Sequence, residues 1–394
     1  MTEHAKINPG DTQPAPGLAP GAIWFAVTHT SAGGLREIWA DVAEGLRGRG
    51  YRVGLLALYR GGNVDSGSAD PLWHRLEESR PRGIAAQFRA MARLYRFLRR
   101  ERPAVIVTAM PAANVLIPVL VTAVGALAGL RTRVIITHHS PADTHNPLLD
   151  RLDGMTGSLP CVRAVISVSH AVATSLAHKP RRYLAKSRVI TNALPERIEK
   201  LIDQLAGQSR TASGSRRIVA VGRLTRQKNY PMMVRAMTQV PDAVLEIVGE
   251  GEDREELVAL AQDCGAAQSV RFLGQIQREA ALAVAASADV FVQVSLFEGH
   301  SLALIEAARL GLPLIVSNAP VQVEGITARD GTRCGIVIPI GDHAALARSV
   351  VELLDDPGLY ARMARLARRL GAESSSAAMI DRYENLIGSF GANA

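Results

Sequence analysis

The sequence is poor in aromatic residues: Phe, Trp and Tyr make up 4% of its 394 residues. Without aromatics interleaved among its cations it lacks the stacking surface of a nucleic-acid binder, so no nucleic-acid partner is expected. Its three cysteines, Cys161, Cys264 and Cys334, are odd in number and widely scattered. That spacing supplies neither a disulfide framework nor a zinc-ligand set, and it points to reduced thiols. No Asp-x-Asp pair occurs anywhere, which argues against a divalent cation bridging a diphosphate. The opening stretch MTEHAKINPGDTQPAPGLAPG has no apolar core. Residues 1–20 therefore read as a flexible tail, not a secretory leader or anchor, and a cytoplasmic location is expected.

What is present is an uneven charge. The chain carries +8 overall, but residues 1–200 hold 26 Lys and Arg against 15 Asp and Glu, whereas residues 201–394 hold 19 against 22. A basic first half suits an anionic membrane surface or a phosphorylated substrate. In RGIAAQFRAMARLYRFLRRERP, helical spacing sets Phe88, Met91, Leu94, Tyr95 and Leu98 on one side and many arginines on the other. Interfacial helices share that pattern, as do solvated helices packed on their own domain, so peripheral contact with the inner face of the cytoplasmic membrane is one expectation. No charge occurs from Pro103 through Leu130. Asn114, Pro118, Thr122, Gly125 and Gly129 interrupt this run, which favours a buried helix over one that touches lipid.

Short Val- and Ile-rich runs alternate with segments of helical spacing along the chain. GAIWFAVTH, YRVGLLALY, AVIVTAM, RVIITHH and AVISVS read as parallel strands in the first half, and RRIVAVG, AVLEIVG, SVRFLG, DVFVQVS and PLIVS in the second. The expected fold is α/β, with two doubly wound Rossmann-like domains facing across a cleft. The first is expected over residues 21–195 and the second over 217–372, with 196–216 as linker and a helix in 373–394 crossing back to the first domain.

Chemistry concentrates in SLFEGHSLALIEAARLGLPLIVS. This segment reads as strand, glycine turn, helix, glycine stop and strand, so the helix opens just after Glu298 and carries Glu306 one turn inside. A helix amino terminus attracts phosphate. Glu306 could accept hydrogen bonds from a ribose diol, while Glu298 and the amides of Gly299, His300 and Ser301 face whatever hangs from the phosphates. Leu302 opens the helix proper. In VGRLTRQKNYPMM, Arg223 and Lys228 project near strand tips, where they could neutralise a departing diphosphate. Gly33 and Gly34 could let backbone approach phosphate, and so could Gly249 and Gly251, although a lone Gly-x-Gly is usually just a turn. His138 and His139 end the strand RVIIT, where a polar side chain can reach a sugar hydroxyl.

From about Arg217 to Pro357 the chain resembles the nucleotide-binding domain of retaining GT-B glycosyltransferases of family 4. VGRLTRQKN, IVGEGEDREEL, VRFLGQI, the glutamate-pair segment and GIVIPIGD fall in that order. The first half resembles the family's acceptor domain more loosely, through AGGL, RVIITHH and VISVSHAVATSL leading to VITNA. The resemblance implies hexosyl transfer from a UDP- or GDP-sugar to a glycan or lipid-linked acceptor, with retention and without an essential metal or other cofactor. It places Arg223 and Lys228 on the diphosphate, Glu306 on the ribose, Glu298 on the donor sugar, and Gln275 and Ile276 near the base. Gly33 and Gly34 would approach the phosphates from the other domain. His139, with His138 as a further candidate, would face the transferred sugar.

The chain departs from the family pattern at Asn192-Ala193, at His300 and at Pro320-Val321. Surface polysaccharide synthesis is the expected setting. Two other readings compete: a sugar-nucleotide epimerase or phosphorylase on the same architecture, and a non-catalytic nucleotide-sugar-binding protein.

Overall fold

The computed structural model describes residues 21–30, 34–61, 73–206 and 214–390. Two wholly parallel sheets form its two lobes. The first contains β1 (Ile23–His29), β2 (Val53–Tyr59), β3 (Trp73–Glu77), β4 (Val105–Ala109), β5 (Arg133–His138), β6 (Val162–Ser167) and β7 (Ser187–Val189), in the order β3-β2-β1-β4-β5-β6-β7. The second contains β8 (Arg217–Val221), β9 (Val244–Val248), β10 (Val270–Gly274), β11 (Val290–Gln293), β12 (Leu314–Ser317) and β13 (Ile336–Ile338), in the order β10-β9-β8-β11-β12-β13. Strand order reverses beside β1 and beside β8, and each reversal opens a crevice at the strands' carboxyl ends. The central strands are buried on both faces, as parallel strands covered by helices must be.

Three edge strands lie outside the runs read as strands from the sequence. β3 (WHRLE) alternates polar residues, while β7 and β13 are three residues long. Edge strands bury one side at most, so their composition carries little apolar signal. The stretch 196–216 also differs from the linker reading: Glu196–Ala206 is a helix, seated by fully buried Ile198 and Ile202 against the core of the second lobe. Its i, i+4 apolar pair overrides its polar composition. Residues 207–213 lie outside the described residues, as does the tail 1–20.

Helix Pro111–Ala128 is uncharged and, by length and composition, long enough to cross a membrane. Ala113, Ile117, Val121 and Val124 pack it into the first lobe's core. Asn114 fixes it further, donating from Nδ2 to Thr137 O at 3.0 Å and accepting from Thr108 Oγ1 at 2.7 Å. At the other end of the chain, helix Pro357–Ala372 packs on helix Leu302–Leu310, and helix Ser376–Gly388 returns to the first lobe. There Met379, Tyr383 and Ile387 join the first lobe's core, and the Tyr383 and Phe25 rings lie 6.2 Å apart. The three cysteines are free thiols.

Candidate active site

Two loops at the carboxyl ends of β8 and β11 are fastened together. After β8, residues 226–228 make one 3-10 turn, Asn229 takes a left-handed conformation (φ 55°), and helix Tyr230–Met237 begins. Asn229 Nδ2 donates to Val294 O at 3.1 Å, and the Leu296 amide donates to Gln227 O at 2.8 Å. The Gln227 amide group donates to Phe297 O at 3.1 Å and to Glu298 Oε2 at 3.3 Å. Glu298 Oε1 accepts from Lys228 Nζ at 2.6 Å and from Ser295 Oγ at 2.9 Å. The buried Glu298 carboxylate is thereby balanced by a cation and held by three donors, as a charge removed from water requires. Arg223, on the same loop as Lys228, is exposed and has no carboxylate partner among the described residues.

Gly249 and Gly251 pack against this loop, which gives each a structural reason to be glycine. A Cβ on Gly249 would lie 2.0 Å from Gly222 O, and one on Gly251 2.2 Å from Leu224 O.

Ser301 caps helix Leu302–Leu310, accepting from the Leu304 amide at 3.3 Å while donating to Gln293 Oε1 at 2.8 Å. Gln293 is fixed in turn by Gln322. The cap satisfies the Leu304 amide and leaves those of Leu302 and Ala303 without a partner inside the helix. Glu306 is buried, and its Oε1 accepts from Arg278 Nε at 2.8 Å and Nη2 at 2.5 Å. Burial raises the Glu306 pKa while the Arg278 charge pulls it back. Gln275 is exposed after β10, and Ile276 is half-buried against the core of the second lobe.

The first lobe meets these groups closely. Gly34, at the start of helix Gly34–Gly48, sits where a Cβ would lie 2.6 Å from Leu302 Cδ1. Gly299 lies against the His139 carbonyl, and Asn192 Nδ2 donates to His300 O at 3.4 Å. Gly33 falls outside the described residues. The Thr137 hydroxyl donates to Thr108 O at 2.8 Å, so at its 3.0 Å contact His139 Nε2 must be the donor. Nδ1 is left as an acceptor, and desolvation holds the His139 pKa down to about 3. His300 is neutral for the same reason, its pKa held down to about 4, and its Nδ1 is buried without a partner among the described residues.

His138 departs from its reading as a sugar-facing residue. Its Nε2 lies 2.6 Å from Tyr183 Oη, and Tyr183 donates to Asp153 Oδ2 at 2.8 Å. Lys179 Nζ, 3.1 Å from the same carboxylate oxygen, completes a buried network inside the first lobe. Neighbours on a strand point to opposite faces, so His138 turns away from the face that carries Thr137 and His139.

Gln227 and Arg278 complete the site and were not singled out in the sequence. Gln227 is masked there by the two cations around it. Arg278 carried a signal: it opens helix Arg278–Ser287, where a cation is disfavoured by the helix dipole and needs compensation.

Residues 202–370 match the model of the glycosyl transferases group 1, and residues 32–196 that of glycosyltransferase family 4. The lipopolysaccharide core biosynthesis glycosyltransferase LpsE of Rhizobium meliloti is 29% identical over 44% of this chain and 49% of its own length. The GDP-mannose-dependent monoacylated alpha-(1-6)-phosphatidylinositol monomannoside mannosyltransferase of Corynebacterium glutamicum is 32% identical over 43% and 46%. The chain thus spans about half the length of these curated relatives. Among solved structures, Anabaena HepE in complex with UDP aligns with a TM-score of 0.74 at 17% identity, covering 93% of this chain and 100% of HepE. The glycosyltransferase WaaG, involved in lipopolysaccharide biosynthesis, aligns at 0.67 and 14% identity, over 93% and 99%. With one family model matching each lobe, and with its fold shared by these structures, the chain belongs to the group 1 glycosyltransferases of GT-B architecture.

Proposed function

We propose that this protein is a retaining glycosyltransferase that moves a hexose from a UDP- or GDP-sugar to a lipid-linked or glycan acceptor in bacterial surface polysaccharide synthesis. The observation that carries the reading is the joined pair of loops after β8 and β11. They set exposed Arg223, the Lys228–Glu298 ion pair and the amino end of helix Leu302–Leu310 at one end of the second sheet. Negative charge grows on the β-phosphate as the nucleoside diphosphate leaves, and preorganised cations and amides stabilise it more in the transition state than before it. Support for the donor class comes from HepE, solved with UDP, and from the GDP-mannose-dependent relative.

Glu298 takes the hydroxyls of the donor sugar in this reading. Its three donors leave it a weak nucleophile, which favours attack by the acceptor on the face the phosphate leaves. Neutral His139 accepts from a sugar hydroxyl through Nδ1. With Arg223 and Lys228 supplying the countercharge, turnover needs no divalent metal and should persist in EDTA. The exposed arginines of helix Ile84–Glu101 hold the protein on the inner membrane face, near lipid-linked acceptors.

Thermal shift with a panel of UDP-, GDP- and ADP-sugars tests the reading directly. One donor class should raise the melting temperature, because it binds the folded state alone. Release of nucleotide only after a lipid-linked acceptor is added separates a transferase from an epimerase. Flat melting curves with every donor would sink the proposal.

A further inference from the structure

Arg278 stands at an unfavourable place, the first turn of helix Arg278–Ser287, and its compensation comes from both lobes. Nε and Nη2 converge on Glu306 Oε1, while Nη1 pairs with Glu37 in the first turn of helix Gly34–Gly48. Burial opposes the Arg278 charge, but Glu306 and Glu37 outweigh it and raise its pKa, so the guanidinium stays cationic. On Glu306 the second oxygen, Oε2, has no partner among the described residues. The planar guanidinium therefore fixes one carboxylate oxygen from two directions and leaves the other free, while its far edge reaches across the cleft.

We propose that Arg278 is a positioning residue that couples ribose recognition to closure of the two lobes. It holds Glu306 so that Oε2 meets a ribose hydroxyl, and through Glu37 it ties that engagement to the first lobe. A lone buried carboxylate would either take up a proton or turn toward water, and in both cases it would stop accepting from a diol. Opening the cleft separates Glu37 from Arg278 and leaves the exposed Glu37 to solvent, so the same guanidinium senses both events. The inference rests on the nucleotide-sugar reading above.

The test is calorimetric titration of full-length wild type, Arg278→Gln, Arg278→Lys and Glu37→Gln with UDP, GDP, dUDP and dGDP, alongside small-angle scattering with and without nucleotide. Wild type should bind UDP or GDP about tenfold more tightly than its 2′-deoxy form, as loss of one charge-assisted hydrogen bond implies. Arg278→Gln should shrink that preference below about threefold, and Arg278→Lys, which keeps the charge without the planar fork, should fall between the two. Glu37→Gln should keep the preference and lose the nucleotide-induced compaction. A wild-type preference in Arg278→Gln, or wild-type compaction in Glu37→Gln, overturns the coupling. If Arg278→Gln does not fold, an undiminished preference in Arg278→Lys overturns it instead. Wild type binding none of the four nucleotides overturns the nucleotide-sugar reading itself, whereas equal binding of ribose and deoxyribose forms overturns only the roles of Glu306 and Arg278.

Discussion

Gly299 faces the carbonyl oxygen of His139 so closely that a methyl group on its α-carbon would lie 1.9 Å from that oxygen. The loop carrying Glu298 and the strand tip carrying His139 thus meet backbone to backbone across the cleft. Gly299 is not among the positive-φ residues, so alanine there meets steric resistance alone. Overpacking of this kind costs about 1–3 kcal/mol, which here must come from the approach of the lobes. Gly299→Ala should therefore lower turnover about tenfold or more while leaving the melting temperature of the free protein nearly unchanged. Steady-state kinetics beside a thermal melt checks this, and wild-type turnover in the variant would show that the contact is not needed for the reaction.

Arg223 and Lys228 lie on one loop but should fail differently when removed. Either alanine variant should lower turnover about a hundredfold or more, the scale for loss of one charge-stabilising donor. Lys228→Ala also strands the buried Glu298 carboxylate, so it should destabilise the fold, and a second change, Glu298→Gln, should recover part of that loss. Arg223→Ala leaves no such orphan and should melt at the wild-type temperature. Near-normal turnover in either variant would remove that residue from the proposed machinery.

Much of this arrangement is legible in the sequence, because apolar period and turn chemistry agree over long stretches. VGRLTRQKN and SLFEGHSLALIEAARLG each mark a strand end followed by a helix start, and neighbouring strands bring the two loops together. His138 is legible in principle: side chains alternate along a strand, so His138 and His139 cannot both face the cleft. The bonds of Gln227 and Arg278 depend on tertiary contacts to Glu298 and Glu37, 71 and 241 residues away in the chain. No local pattern encodes contacts of that range. The glycines of IVGEGED illustrate a different limit, since a glycine required by a neighbouring backbone leaves the same mark in sequence as one required by a ligand.

His138 gives stability a pH dependence of predictable sign. Burial lowers its pKa to about 4, from an ordinary value of 6.5. The unfolded chain therefore takes up a proton as pH falls below 6.5, while the folded protein resists until about 4. Stability should stand at its plateau above 6.5 and decline through that window, by up to about 1.4 kcal/mol per pH unit for this group. Replacing His138 with Gln removes the titration at some cost in packing against Tyr183. The expected result is a lower but flatter stability profile between pH 4.5 and 6.5, measured by urea denaturation. A variant profile parallel to wild type would exclude His138 as a source of the slope.

Membrane contact should depend on both charge and apolar insertion. Helix Ile84–Glu101 buries Leu94, Phe97 and Leu98 in the first lobe, yet Ile84 is 76% and Phe88 72% exposed. Phe88 therefore leaves the apolar side that helical spacing gave it and projects outward, among exposed Arg82, Arg89 and Arg96. Because strands and helices alternate, the start of this helix lies toward the carboxyl edge of the first sheet, the edge that borders the cleft. An anionic surface would attract the arginines, and the two apolar side chains would enter the interface beneath them. Flotation with vesicles containing phosphatidylglycerol should be efficient at low salt and weak near 1 M salt, where the screening length contracts to about 3 Å. Phe88→Ser should weaken binding about tenfold or more at any salt, since burial of a phenyl side chain contributes about 1.5–3 kcal/mol. If neutral and anionic vesicles float the protein equally, the arginines do not drive the contact. If Phe88→Ser binds like wild type, the helix lies on the surface without inserting, and the proposed lipid-linked acceptor must reach the cleft by another edge.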